Sequence, residues 1–287
     1  MNIGLIDHHL HNWHSDVFLK ILNGPIGEGD MNITIAYESD PVADKEDWCK
    51  INKVKKASSP EEVVEKADAI FVMAPDNIED HLKLGRCAYE SGKPVYVDKY
   101  LSTSIADAKE IVRLCKASGS PLTSNSSLRF TPDLLDLMKK LGGKKPKEVF
   151  ARGYGHWHPY AIHTVTRALP IFGTKADRII NTGTEDAPNV TIADGERRCN
   201  IQILWAPANH WEVAPWQVGA IIGDRIEIAT NDPKHDAYED LMREAVKFLR
   251  TRISPLSVEE MLMTSIIDEL GEKSREMGGV WIDIPQL

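Results

Sequence analysis

Three short stretches carry the residue types that chemistry needs. The first is Asp7-His8-His9-Leu10-His11-Asn12, directly after the strand-like Ile3-Gly4-Leu5-Ile6. Its carboxylate and imidazoles can hold protons, accept hydrogen bonds or ligate a metal. The second is Asp98-Lys99, placed just past the apolar run Val95-Tyr96-Val97. A lysine at the end of a buried strand can have its pKa lowered and share a proton with a substrate hydroxyl; the plain alternative is a surface salt bridge. The third is Glu38, which closes the strand-like Ile33–Tyr37. A carboxylate there can accept hydrogen bonds from ribose hydroxyls, or simply face solvent.

These residues depend on the elements around them. Up to about Pro121 the chain alternates strand and helix: a helix over Ser15–Leu22, a strand at Ile33–Tyr37, a buried run Ala69–Met73, a helix over His81–Glu90 and a strand at Val95–Val97. Ser59 with Pro60, and Ser104 with Asp107, read as helix starts; Gly119 reads as a stop. Repeated units of this kind predict a doubly wound, Rossmann-like parallel sheet with helices on both faces. After Pro121 comes a helix from Thr131-Pro132 to Leu141. Strands follow at Glu148–Gly153, Arg178–Thr182, Asn189–Ile192, Arg198–Trp205, Trp216–Ile222 and Arg225–Ile228, and two helices close the chain over His235–Arg250 and Val258–Met277. That half reads as an α+β domain with a largely antiparallel open sheet. The expected division is 1–122, nucleotide-binding, and 123–287, substrate-binding and oligomerising.

Bulk properties narrow the function classes. The net charge of −9 on 287 residues, with no Lys/Arg block longer than a few residues and Lys144-Lys145 with Lys147 read as a solvated turn, argues against a nucleic-acid partner. No basic, apolar leader and no membrane-length run is read at the N-terminus. The four cysteines, Cys49, Cys87, Cys115 and Cys199, lack C-x-x-C spacing, so free thiols in a reduced, cytoplasmic setting are expected.

A dinucleotide-binding fold should carry glycines in the turn after its first strand, where the backbone bends sharply and approaches a pyrophosphate. The three fingerprint positions are instead Asp7, His9 and Asn12. Glu38 also stands further along than the usual ~20 residues, with Asn23–Asp30 as the evident insertion.

The run Gly92-Lys93-Pro94-Val95-Tyr96-Val97-Asp98-Lys99-Tyr100-Leu101 resembles the G-K-x-V-x-x-E-K-P-L of the glucose–fructose oxidoreductase/inositol dehydrogenase/MocA family. Ala74-Pro75 with His81, Asn125 with Arg129-Phe130, Asn181-Thr182-Gly183-Thr184-Glu185-Asp186 and Trp281-Ile282-Asp283-Ile284 follow that family's order. The resemblance implies a nicotinamide-dependent oxidoreductase acting on a sugar or polyol. By resemblance, Asp7, His8, His9, Leu10, His11, Glu38, Ala74, Pro75, Asp98 and Lys99 would line the cofactor. The carboxylate of Glu38 favours NAD over NADP, because a 2′-phosphate is repelled there. Counting back ten residues from Gly173 reaches His163, which by analogy joins Lys99 in acid–base work. Asn125, Arg129, His156, His158, His163 and Lys99 would meet the substrate. The chain departs from the family where Pro159 replaces an aspartate, Ala161 a glycine and Tyr100 a proline. His156, His158 or Tyr160 are the candidates for rebuilding that relay.

Two other readings stay open. Asp7-His8-His9-Leu10-His11 also resembles the D-x-H-x-H strand of amidohydrolase-type barrels, in which His9 and His11 would share a divalent metal for hydrolysis or lysis. The third is a Rossmann relative with lost or altered redox activity, in which His8, His9, His11 and His14, with His156, His158 and His163, would approach a cleft and hold a metal or an acidic sugar. Otherwise no metal is expected. Trp205, His210, Trp211 and Trp216 suggest sugar stacking or, preferably, a subunit interface. Family members commonly pair through the open sheet, so the resemblance implies a homo-oligomer.

Overall fold

A computed structural model describes residues 1–204 and 215–287. The chain divides into two compact units, Met1–Asn125 with Tyr238–Met261, and Ser126–Ala237 with Leu262–Leu287.

In the first unit β1 (Asn2–Asp7), α1 (Trp13–Leu22), β2 (Asn32–Glu38), α2 (Trp48–Asn52), β3 (Lys55–Lys56), α3 (Pro60–Lys66), β4 (Ala69–Val72), α4 (His81–Tyr89), β5 (Val95–Asp98), α5 (Ile105–Ser118) and β6 (Leu122–Asn125) follow one another. The strands form one sheet in the order β3-β2-β1-β4-β5-β6, every pairing parallel. The order reverses between β1 and β4, which opens the crevice at the carboxyl ends where ligands of such sheets sit. The helix signals act as expected: Ser59 accepts from the Glu62 amide, Ser104 from the Asp107 amide, and Gly119 ends α5 with φ 74°. Helix α1 starts two residues before the expected Ser15, because Asn12 caps it through the Ser15 amide. Gly4 lets α3 lie directly on β1, since a Cβ there would stand 2.3 Å from Val63 Cγ1. Phe18 of α1 packs edge-on against Phe71 of β4 and Tyr96 of β5, at ring separations of 6.2 and 5.9 Å.

The second unit contains α6 (Pro132–Leu141), β7 (Glu148–Tyr154), α7 (Trp157–Phe172), β8 (Arg178–Asn181), β9 (Asn189–Asp194), β10 (Arg197–Leu204), β11 (Gln217–Ile222) and β12 (Arg225–Thr230). The chain ends in α8 (Ala237–Thr251), α9 (Val258–Glu276) and β13 (Ile282–Asp283). Nearly all of α8 and the first turn of α9 belong to the first unit by contact, whereas the linear division at 122 would leave them in the second. The sheet order is β12-β11-β7-β10-β9-β8-β13, and only β7 and β10 run parallel. Helix α7 covers β7, β10 and β11 and buries 12 of its 16 residues. The expected organisation of this half, strands with few helices, omits it. A helix buried nearly all round shows no polar stripe, and Pro159 and Pro170 break its pattern further.

Among the described residues no helix is long and apolar enough to cross a membrane. The fold is not an eight-fold barrel, so the hydrolase reading of the histidine loop loses its scaffold.

Candidate functional site

Asp7 closes β1 and is fully buried. One carboxylate oxygen accepts from the Ala74 amide at 2.9 Å; the other accepts from Asn12 Nδ2 and Ser15 Oγ, each at 2.9 Å. Burial pushes the carboxyl up to about 6 in spite of these donors. Asn12 donates onward to the His9 carbonyl at 2.7 Å. No residue from 7 to 12 has a positive φ, so this turn carries side chains without backbone strain. The left-handed residues lie nearby instead: Ala74 after β4 at φ 48° and Lys99 after β5 at φ 57°. Non-glycine residues in that region are uncommon and concentrate at functional sites.

On the β2 side, Glu38 is only 8% exposed. Its Oε2 accepts from the Leu10 amide at 3.0 Å, and Oε1 stands 3.6 Å from Lys56 Nζ. His8 lies between two carboxylates, with Nδ1 3.1 Å from Asp80 and Nε2 3.6 Å from Asp40. His9 meets the His8 ring edge-on at 5.3 Å, while His11 Nε2 pairs with the Glu46 carbonyl at 2.8 Å. Among the described residues no group of three or more His, Cys, Asp or Glu is placed to hold a metal ion.

Lys99 is 4% exposed. Its ammonium donates to the Pro75 carbonyl at 2.7 Å and stands 3.5 Å from Asp76. Burial holds its pKa below the ordinary lysine value, outweighing the opposing charges of Asp98 and Asp76. Asp98 is 1% exposed and lies 2.6 Å from His14 Nδ1. Burial would raise its pKa, but the charge and hydrogen bond of His14, with Lys99, hold it below the ordinary carboxylate value. The Tyr238 hydroxyl is 3.2 Å from His14 Nε2. Asn125 pairs with Asp98 across the strands and donates to Thr123 Oγ1 at 3.2 Å. Its buried Oδ1 has no partner among the described residues. His81, fully buried, bonds backbone carbonyls of Met73, Tyr100 and Leu101 and ties the ends of β4 and β5 together.

The sequence reading named His14 only as one of a group of histidines that could hold a metal or an acidic sugar, and it missed Tyr238. His14 falls in the first turn of a helix that opens the crevice, a position worth testing from the Asn12 cap alone. Tyr238 lies 224 residues further on, and no local pattern connects it to His14.

In the second unit His163 is 7% exposed, and its Nδ1 pairs with Ser126 Oγ at 2.7 Å. Its ring meets Trp216 edge-on at 5.4 Å and Tyr160 at 6.0 Å. Buried Thr164 Oγ1 and Trp216 Nε1 lack partners among the described residues. Arg129 is buried, with its guanidinium 5.5 Å from the Phe130 ring and a contact to Met138 Sδ at 3.8 Å. His158 is held 3.1 Å from Asp268 on α9, and His156 is exposed ahead of α7. His158 and Pro159 depart from helical geometry where the family pattern has its aspartate. Trp216 stacks at 4.2 Å on Tyr154 in a cluster with Leu128 and Ala237. It is therefore a core residue, which corrects its assignment to an interface. Trp205, His210 and Trp211 lie outside the described residues.

Residues 20–126 match the oxidoreductase family with an NAD-binding Rossmann fold, so the match begins past the glycine-free turn. The uncharacterized oxidoreductase YdgJ of Escherichia coli (strain K12) is 25% identical over 177 residues, 54% of this chain and 50% of that protein. The chain thus spans about half the length of that curated relative. A probable dehydrogenase from Thermotoga maritima superposes with a TM-score of 0.81 at 16% identity, covering 99% of this chain and 98% of that one. A myo-inositol dehydrogenase from Corynebacterium glutamicum ATCC 13032 gives 0.79 at 14% identity, covering 100% and 99%. At these identities the structures show a common fold.

Proposed function

We propose that the chain is a member of the glucose–fructose oxidoreductase/inositol dehydrogenase/MocA family and an NAD-dependent oxidoreductase acting on a hydroxyl-bearing carbon of a sugar or polyol. The observation that carries this reading is Lys99. It is buried at the carboxyl end of β5, held in a left-handed backbone, and kept below the ordinary lysine pKa by burial. A lysine so poised exchanges a proton near neutral pH more readily than a solvated one.

The residues fit a dinucleotide. Glu38 offers a carboxylate at the ribose position, already braced by the Leu10 amide. The turn His8–His11 needs no positive φ, and the buried Asp7 carboxylate is taken up by the Ala74 amide, Asn12 and Ser15. Ala74, Pro75, Asp98 and the orphaned Oδ1 of Asn125 line the ends of β4, β5 and β6. When bound, the nicotinamide supplies the hydride acceptor or donor. Lys99 holds or takes the hydroxyl proton, Arg129 and Asn125 bind substrate, and His163, oriented by Ser126, is a second acid–base group. His156 and His158 are assigned to substrate more weakly, since Asp268 already holds His158. Glu38 favours NAD over NADP. We also assign a homo-oligomer, paired through the sheet that exposes Ile221, Ile226 and Ile228.

A second reading, a fold relative without redox chemistry, is favoured by His8. Asp40 and Asp80 flank it beside the turn, where a pyrophosphate would bring further negative charge. Turnover decides between the readings. NAD⁺ supplied with a panel of sugars and polyols should gain nicotinamide absorbance. Lys99→Ala should cut the rate by about 10²–10⁴-fold, the scale of a lost general acid–base group. An unchanged rate in that variant removes Lys99 from the mechanism.

A further inference from the structure

We propose that Asp98, His14 and Tyr238 form a proton-transfer chain. The Tyr238 hydroxyl is its outer group, and His14, oriented by Asp98, takes up the tyrosine's proton. Three elements far apart in sequence converge on it within the first unit: the end of β5, the first turn of α1 and the first turn of α8. Asp98 lies 2.6 Å from His14 Nδ1 and His14 Nε2 lies 3.2 Å from the Tyr238 hydroxyl. The two rings stand nearly perpendicular, at 86°, and Phe18 packs on both.

The chemistry follows from donor and acceptor types. An ionised carboxylate only accepts, so the nitrogen facing Asp98 carries hydrogen. That leaves Nε2 as the nitrogen able to give or take a proton, and its neighbour is a hydroxyl. The Tyr96 hydroxyl lies 3.4 Å from the second oxygen of Asp98 and 3.3 Å from the Asn125 carbonyl, so its one proton is shared between them. An ion pair alone would suffice to staple α1 to β5. The Tyr238 hydroxyl extends it from a fully buried carboxylate to a half-buried residue, the arrangement of a base oriented by a third group. Around Asp98 stand His14, Lys99, His81 and Tyr96, and His14 also faces Tyr238.

In the oxidation direction, with the Lys99 ammonium donating to the substrate oxygen rather than taking its proton, a substrate O–H bond breaks and an O–H bond forms at Tyr238. The tyrosine's original proton passes to His14 Nε2, and Asp98 stays ionised. The net result is a substrate alkoxide and an imidazolium, with no change of oxidation state in the relay. That the donor is a substrate hydroxyl rests on the oxidoreductase reading; the relay itself does not.

The test begins without cofactor. Imidazole ¹⁵N spectra of the full chain, recorded from pH 6 to 9 and assigned with His14→Gln, should show Nδ1 protonated throughout and Nε2 as the nitrogen that exchanges. Tyr238→Phe should move the Nε2 resonance and leave Nδ1 in place. A tautomer with Nε2 permanently protonated, or an Nε2 signal indifferent to Tyr238→Phe, overturns the relay. With NAD⁺ and myo-inositol as probes, Tyr238→Phe should lower kcat about 10²-fold at unchanged KM. An unchanged kcat overturns the relay. Failure of the wild-type chain to bind NAD⁺ would defeat the functional reading instead, and the spectra would still decide the relay.

Discussion

Replacing Asp7 with asparagine should change how stability depends on pH. The folded carboxyl titrates at about 6, against 3.8 for the free group. That gap of roughly two units corresponds to about 3 kcal/mol. The sign follows from proton counting. Between pH 3.8 and 6 the unfolded chain has released this proton while the folded chain still holds it. The unfolded state then binds fewer protons, so stability falls as pH rises through that window and levels off above it. Asparagine does not titrate, so subtracting the variant's curve removes the contributions of all other groups. Urea unfolding at intervals from pH 4 to 7, followed by circular dichroism and fluorescence, gives both curves. Wild-type stability relative to Asp7→Asn should drop by about 2.4 kcal/mol between pH 4 and 7, most of the full difference. A difference that stays flat, or grows with pH, would mean that Ala74, Asn12 and Ser15 keep Asp7 ionised. The account of the turn as a buried, proton-holding strut would then be wrong.

Other outcomes follow from the same geometry. Asn12→Ala removes the α1 cap and one donor to Asp7, and should cost about 1–3 kcal/mol in the same unfolding assay. Glu38→Gln keeps the strand end but removes the charge we propose to meet the ribose. The preference for NAD over NADP, measured as a ratio of dissociation constants, should narrow by about tenfold, or ~1.4 kcal/mol. Gly153→Ala would place a Cβ 2.2 Å from Thr164 Oγ1 and 2.3 Å from the Trp216 ring. It should cost about 1–3 kcal/mol, read as a lowered Tm, because two buried side chains must shift.

Much of the architecture was legible because it rests on local signals. Ser59, Ser104 and Gly119 mark helix ends through bonds that span only a few residues, and the run Ala69–Val72 declares a strand buried on both faces. Helix α7 was not legible, since burial on every side erases the stripe that reveals a helix. The turn after β1 was read by its missing glycines, on the argument that the backbone there needs them. The structure shows negative φ throughout 7–12 and moves the left-handed conformation to Ala74 and Lys99. Side chains at Asp7 and Asn12 therefore do not strain the turn; they brace it. The family match starting at residue 20 agrees with a chain that keeps the fold and has rebuilt its first turn. The pairing of His14 with Tyr238 could not be read, because only tertiary packing joins positions 224 apart.

The central claim is that this glycine-free turn still serves a nicotinamide cofactor. Titrating the purified chain with NADH, followed by nicotinamide fluorescence and by calorimetric heat, tests it most directly. Saturable binding is expected, weaker by about tenfold or more in Glu38→Ala, with NADPH weaker than NADH for the wild type. Neither fluorescence change nor heat at millimolar NADH would contradict the claim and leave a Rossmann fold without its cofactor.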